Sequence, residues 1–444
     1  MGGILMRRGW KRAAWTGLVA VVLAAGIAGW HLGGVCENSV QAADRPVSAE
    51  KTLAASEVML LRWTENLNAV KYEVELLPSI PPDLQRNEPH VSHVYDNERI
   101  YSDGVMIDLA KEAPQALGKP LYWRVRPKDL DGNPIGDFTQ PALYILRGES
   151  IRNAPIPRAM LGGEKGTDIL YPVYSFIGNP GAAGYEIEIT DEWPENLDDI
   201  GPSVHRVYAG HSELTDFYDP SPRIGHYYWR VRGLFADGLP VGIWSQPQPF
   251  ETKSSGWLVG IYGDSISHGG GHLSFGPADW AYSYEYYLDH PVINLSESGD
   301  TSAMMVERFD RDVAPFQELQ TLFILGGTNS LRGGVPAADV IRDLKEIQQK
   351  CRARGITPVL MTLPPINPDN IRRAFHEDTD DGWREAFNEV NAFIRTQPHV
   401  DTAAPFAEME TMPTELALDG LHGDWNAKQM MAGEINTYMR EHGI

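Results

Sequence analysis

The chain has 444 residues, more than one ordinary domain needs, and its 43 Gly and 32 Pro give part of it a turn-rich, β-leaning balance. A formal charge of −22 repels phosphate backbones and argues against nucleic acid as a partner. With Cys36 and Cys351 as the whole cysteine complement, neither a disulfide framework nor a cysteine metal site is supported.

The N-terminus reads as a targeting segment. Arg7, Arg8, Lys11 and Arg12 precede an uncharged apolar stretch over 13–30, the pattern of a signal peptide or a signal anchor. Val40-Gln41-Ala42 offers a small-residue cleavage site, and the stretch is about long enough to span a bilayer. Residues 1–43 are therefore set aside, and everything after them is expected outside the cytoplasm, secreted, periplasmic or membrane-tethered.

From 44 to 150 the pattern is β-like. Lys71-Tyr72-Glu73-Val74-Glu75-Leu76 and Tyr122-Trp123-Arg124-Val125-Arg126 alternate polar and apolar, and Asp131-Gly132-Asn133-Pro134 marks a turn. The same grammar returns over 151–253, with Tyr185-Glu186-Ile187-Glu188-Ile189, Tyr228-Trp229-Arg230-Val231-Arg232 and Asp237-Gly238-Leu239-Pro240. Two copies of about 100 residues built from short strands predict tandem β-sandwiches. Tyr-Trp-Arg-Val-Arg, Asp-Gly and then Ile243-Trp244-Ser245-Gln246-Pro247 resemble the last strands of a fibronectin type III module. The first copy has Phe138-Thr139-Gln140-Pro141 at that place. The alternating arginines are expected on a solvated strand face, and such modules commonly serve as spacers or weak glycan binders.

Lys253-Ser254-Ser255-Gly256 reads as a short linker, and after it the periodicity changes. Apolar runs at 258–262, 292–295, 322–325 and 358–362 alternate with helical stretches, of which 337–354 and 383–395 are clear. Strands alternating with helices predict a parallel sheet covered on both faces over 254–444. Cys351 follows Val340, Leu344 and Ile347 at helical spacing and belongs in that core.

Four blocks of this domain carry chemistry: Gly263-Asp264-Ser265, the run from Asn294 to Ser302 containing Gly299, Gly326-Gly327-Thr328-Asn329-Ser330, and Asp419-Gly420-Leu421-His422. Acyl transfer needs a hydroxyl nucleophile, a base to take its proton and a carboxylate to fix the base. Ser265, His422 and Asp419 are of those types. It also needs donors for the oxyanion, which a glycine N–H and an asparagine amide can supply. Taken one at a time, Ser265 fits a turn serine, Asn329 a loop cap and His422 a surface histidine; their joint occurrence in order is what points to catalysis.

Together the blocks resemble the SGNH hydrolase family, also called GDSL esterases and lipases. The resemblance covers 254–444 and implies an αβα, flavodoxin-like three-layer fold with a parallel sheet. It implies Ser265 as nucleophile, His422 as base, Asp419 as its orienting partner, and Ser265, Gly299 and Asn329 as oxyanion donors. The third block departs from the commoner Gly-x-Asn-Asp by ending in Ser330, which puts its supporting contacts in question; Gly327 as the motif glycine keeps Asn329 in place. No cofactor or metal is implied. His268-Gly269-Gly270-Gly271-His272 is read as a loop shaping the cleft rather than a metal pair. Trp280, Tyr284 and Tyr287 are read as one buried helical face, and Arg332 as a solvated arginine. The expectation is an extracytoplasmic serine esterase that removes short O-acyl groups from a carbohydrate. A lipase or thioesterase, and a non-catalytic glycan-binding protein, stand as alternatives.

Overall fold

The computed structural model describes residues 58–144, 151–162, 166–270 and 278–444. The targeting segment with Cys36, and His272 of the glycine loop, lie outside those residues. No helix among the described residues is long and apolar enough to cross a membrane.

Two strand-rich units come first, each made of two antiparallel sheets around a shared apolar core. In the first, Val58–Arg62 pairs with Gly104–Asp108, and Lys71–Leu77 and Leu121–Lys128 form the centre of a four-stranded sheet. Met59, Leu61, Trp63, Tyr72, Val74 and Val125 fill the space between them. In the second unit, Gly184–Thr190 and Gly225–Leu234 are the paired central strands, and Val173–Ile177 anchors the opposite sheet. Tyr174, Phe176, Ile187, Ile189, Trp229 and Val231 make its core.

Of the alternating arginines, Arg124, Arg126 and Arg230 are buried and Arg232 is mostly covered, contrary to the solvated face expected of them. Arg124 and Arg230 have no exposed surface. Each pairs with a glutamate on the neighbouring strand: Arg124 with Glu75, Arg126 with Glu73 at 2.6 Å, Arg230 with Glu188 at 2.5 Å and Arg232 with Glu186. An aromatic ring caps each ladder. Phe138 lies 4.1 and 4.4 Å from the Arg124 and Arg126 guanidinium carbons, and Trp244 lies 4.5 Å from both Arg230 and Arg232. Phe138 thus does in the first copy what Trp244 does in the second. The segments 78–94 and 191–205 fold over these faces, so Arg124 and Arg126 donate to the carbonyls of Glu88 and Asn87, and Arg230 to the Asn196 side chain.

The C-terminal domain is a six-stranded, all-parallel sheet. Its strands are β1 Asp168–Ile169, β2 Val259–Gly263, β3 Ile293–Asn294, β4 Thr321–Leu325, β5 Thr357–Met361 and β6 His399–Val400, in the order β6-β5-β4-β2-β3-β1. Its helices are α1 Ser265–His268, α2 Ser302–Val313, α3 Thr328–Arg332, α4 Ala337–Ala353, α5 Pro368–Phe375, α6 Trp383–Ile394 and α7 Trp425–His442. Val259 to Gly263 are all buried, as expected of a strand covered on both faces, and Cys351 packs in the same core.

One boundary and one helix differ from the sequence reading. Strand β1 comes from the stretch assigned to the second sandwich, so the division at 253/254 is crossed. β3 is two residues long, and Asp168–Ile169 pairs along its otherwise bare edge; Leu170 and Tyr171 then enter the core of the C-terminal domain. Trp280, Tyr284 and Tyr287 lie on two 3-10 turns, Trp280–Tyr282 and Tyr284–Tyr287, separated by extended Ser283, rather than on one helix. Trp280 and Tyr284 are nonetheless buried.

Candidate active site

Strand β2 ends at Gly263, where the chain passes so close to β4 that a Cβ would lie 2.3 Å from the Leu325 carbonyl. Asp264 caps α1 by accepting the Ile266 N–H at 3.0 Å, and Ser265 becomes the first helical residue. Its hydroxyl therefore sits at the carboxyl edge of the parallel sheet, the edge at which open α/β folds bind ligands.

Asp419 and His422 reach the same edge from the loop before α7. The Asp419 Oδ1 accepts the N–H groups of Leu421 and His422, both at 2.8 Å, which closes a tight turn across Gly420 at φ 80°. That turn explains the three-residue spacing. It leaves Oδ2 facing His422 Nδ1 at 2.6 Å, while His422 Nε2 stands 2.8 Å from Ser265 Oγ. Ser265, Asp419 and His422 are all at most 4 % exposed, so the hydrogen-bonded run is shielded from competing water.

The other oxyanion candidates lie on the loop before α2 and at the start of α3. Gly299 has φ +90°, and a Cβ there would meet nothing within 4 Å. Asn329, on α3, donates from Nδ2 to the carbonyl of Asp300 at 2.9 Å, which ties it to the residue after Gly299. Thr328 is buried beneath it. The Gly299 loop is held from below by Arg308, which pairs with Asp300, donates to the carbonyls of Leu295 and Gly263 at 2.7 and 2.8 Å, and stacks on Tyr262 at 4.2 Å.

A model of the GDSL-like lipase/acylhydrolase family matches residues 261–424. This region is a GDSL-family hydrolase domain. Thioesterase 1/protease 1/lysophospholipase L1 of Escherichia coli K12 is 28 % identical over 182 residues, 38 % of this chain and 81 % of that protein. Esterase TesA of Pseudomonas aeruginosa is 38 % identical over 79 residues, 17 % of this chain and 39 % of that protein. Among solved structures, a GDSL-like lipase from Bacteroides thetaiotaomicron aligns at 18 % identity and TM-score 0.33, covering 41 % of this chain and 88 % of that one.

In this GDSL domain the unusual Ser330 has a clear place. Its Oγ accepts the Ser302 N–H at 2.9 Å and lies 3.1 Å from Ser302 Oγ, which donates to Asp343 at 2.7 Å. Asp343 of α4 thus reaches this block through Ser302. Arg332 is half-buried and paired, not free in solvent. It donates from Nε to Asn329 Oδ1 at 3.2 Å and pairs with Glu377 at 2.8 Å. Sequence reasoning singled it out but had no means of finding Glu377, 45 residues on.

Several buried groups brace α1. The His268 Nε2–H donates to the Tyr171 carbonyl at 2.8 Å, and burial pushes the pKa of this ring down. Only a donor satisfies a carbonyl, so Nε2 carries a hydrogen and His268 is a structural clip here. Among the described residues no set of His, Cys, Asp and Glu side chains is arranged to hold a metal ion. Lys428 donates to the Ile266 carbonyl, its pKa pushed down to about 8 by burial. Burial likewise pushes Asp264 up to about 6.

Proposed function

We propose that the protein is an extracytoplasmic serine esterase working through an acyl-enzyme at Ser265. The observation that carries this reading is the continuous run Ser265 Oγ, His422 Nε2, His422 Nδ1, Asp419 Oδ2. Ser265 Oγ attacks the acyl carbonyl while its proton passes to His422 Nε2. Asp419 holds the ring in the tautomer that leaves Nε2 free to accept, and favours the imidazolium that forms. Charge collects on the carbonyl oxygen, to which the N–H groups of Ser265 and Gly299 and the Asn329 amide donate. His422 then gives its proton to the departing alcohol oxygen as the C–O bond breaks. Water repeats the sequence on the acyl-serine and releases the acid.

In this reading the substrate is a short O-acyl group on a carbohydrate. Support comes from the basic and then apolar N-terminal stretch, which suits export, and from two strand-rich units of fibronectin type III-like pattern. The name of the Escherichia coli relative favours a second reading, cleavage of acyl thioesters or lysophospholipids. Hydrolysis of aryl acetate and aryl octanoate side by side separates the two. Preference for acetate fits the first, preference for octanoate the second. Ser265→Ala abolishes both, and turnover surviving that change removes the proposal.

A further inference from the structure

The first strand-rich unit does more than space the hydrolase from the N-terminus. Its 129–134 turn touches α5: Leu130 packs with Val70 against Ala374, Phe375 and Leu418, and Asp131 accepts from Arg373 at 3.1 and 3.2 Å. Leu418 adjoins Asp419. Helix α5 ends at His376 in the left-handed conformation, φ 57°, the one non-glycine residue of positive φ among those described. That reversal sets the Phe375 ring edge-on to the His422 ring, centroids 6.1 Å apart, and sends Glu377 to Arg332.

An asparagine amide can bond through either end. Here Oδ1 faces Arg332, which can only donate, and Nδ2 faces the Asp300 carbonyl, which can only accept. The flip of Asn329 is thereby fixed, and its second Nδ2 hydrogen is left for an oxyanion. We infer that the first unit is a working part of the reaction centre: docked on α5, it fixes through Glu377 and Arg332 the direction in which Asn329 donates. Arg332 and Glu377 are positioning residues, as are Leu130 and Asp131 one step further back. This rests on the reading of Asn329 as an oxyanion donor.

The test uses the full chain with 4-nitrophenyl acetate, reading kcat and KM separately beside the thermal midpoint. Arg332→Met is expected to lower kcat by about 10- to 100-fold, short of the roughly 10²–10³ for losing a donor outright, with KM within about twofold. The paired change Leu130→Ala, Asp131→Ala is expected to lower kcat by about three- to tenfold in the wild-type background. It should lower it no further in the Arg332→Met background, because both changes act through one contact. If the paired change lowers the thermal midpoint, Arg373→Ala, which cuts the ion pair alone, makes the same comparison. Equal losses in both backgrounds, or an unchanged kcat in Arg332→Met, overturn the inference. Full activity in Asn329→Ala or Ser265→Ala instead overturns the reading of the site, and the inference with it.

Discussion

Asp264 sits beside the nucleophile with no exposed surface, and only its Oδ1 has a hydrogen-bond partner, the Ile266 N–H. Burial raises its pKa from 3.8 to about 6. Since the folded value lies above the unfolded one, the folded state holds the proton more tightly. Its favourable contribution is complete below the unfolded pKa and is lost as pH rises through about 6. Asp264→Asn, which keeps the capping oxygen, is therefore expected to gain on the wild type by on the order of 3 kcal/mol between pH 4 and pH 7. Urea unfolding of both proteins at pH 4, 5.5 and 7 measures this, and parallel stability curves would refute it. The block containing Asp264 was legible as a strand ending in a turn. Its burial was not, because nothing local says that α7 will cover it with Lys428. The same limit applies to Arg332: its type and place beside Asn329 were visible, its partner Glu377 was not.

At the scale of elements, the duplicated strand pairs show what periodicity does and does not carry. Trp123 and Trp229, 106 residues apart, mark the repeat in sequence, and the strands around them form as expected. Their charged faces looked solvated because alternation says only that the two sides differ. What buries them, the irregular segments 78–94 and 191–205, has no period to detect. Strand β1, two residues long, is likewise invisible to any periodic signal. The ladders have an energetic consequence. Glu188 is fully buried and serves Arg230, Arg206 and the Ser203 N–H, at 2.5, 2.5 and 2.9 Å. Glu188→Ala leaves Arg230 buried without its carboxylate and is expected to cost roughly 3–5 kcal/mol. The double change Glu188→Leu, Arg230→Met removes both charges and should cost less than the single one. Denaturant unfolding of the two variants decides it; a double mutant weaker than the single would show that the pair itself is strongly favourable.

Across the whole molecule the three parts meet at one side chain. Arg158, in the second unit, pairs with Glu65 and with Asp103 at 2.8 Å, both in the first unit. Its Nη1 donates to Ser175 Oγ at 2.9 Å within its own unit and to the Ala278 carbonyl of the hydrolase domain at 3.2 Å. The Ala278 N–H in turn donates to Asp216 at 3.0 Å. Burial pushes the Glu65 carboxyl well above the usual range, and the Arg158 guanidinium opposes that shift. Add the β1 pairing, the Tyr171 carbonyl on His268 and the Tyr218 ring 5.5 Å from that imidazole, and the second unit is built into the hydrolase rather than strung beside it. Such a molecule should unfold as one body while Arg158 is present. Arg158→Met keeps the apolar stem and removes the shared cation, breaking a buried ion pair at a cost of roughly 3–5 kcal/mol. Scanning calorimetry is then expected to show the wild type's single transition divide, with the strand-rich units melting first and the hydrolase near its original temperature. A variant that still melts in one transition at the wild-type midpoint would mean that β1 and the 129–134 turn suffice to join the parts, and that Arg158 adds nothing to their cohesion.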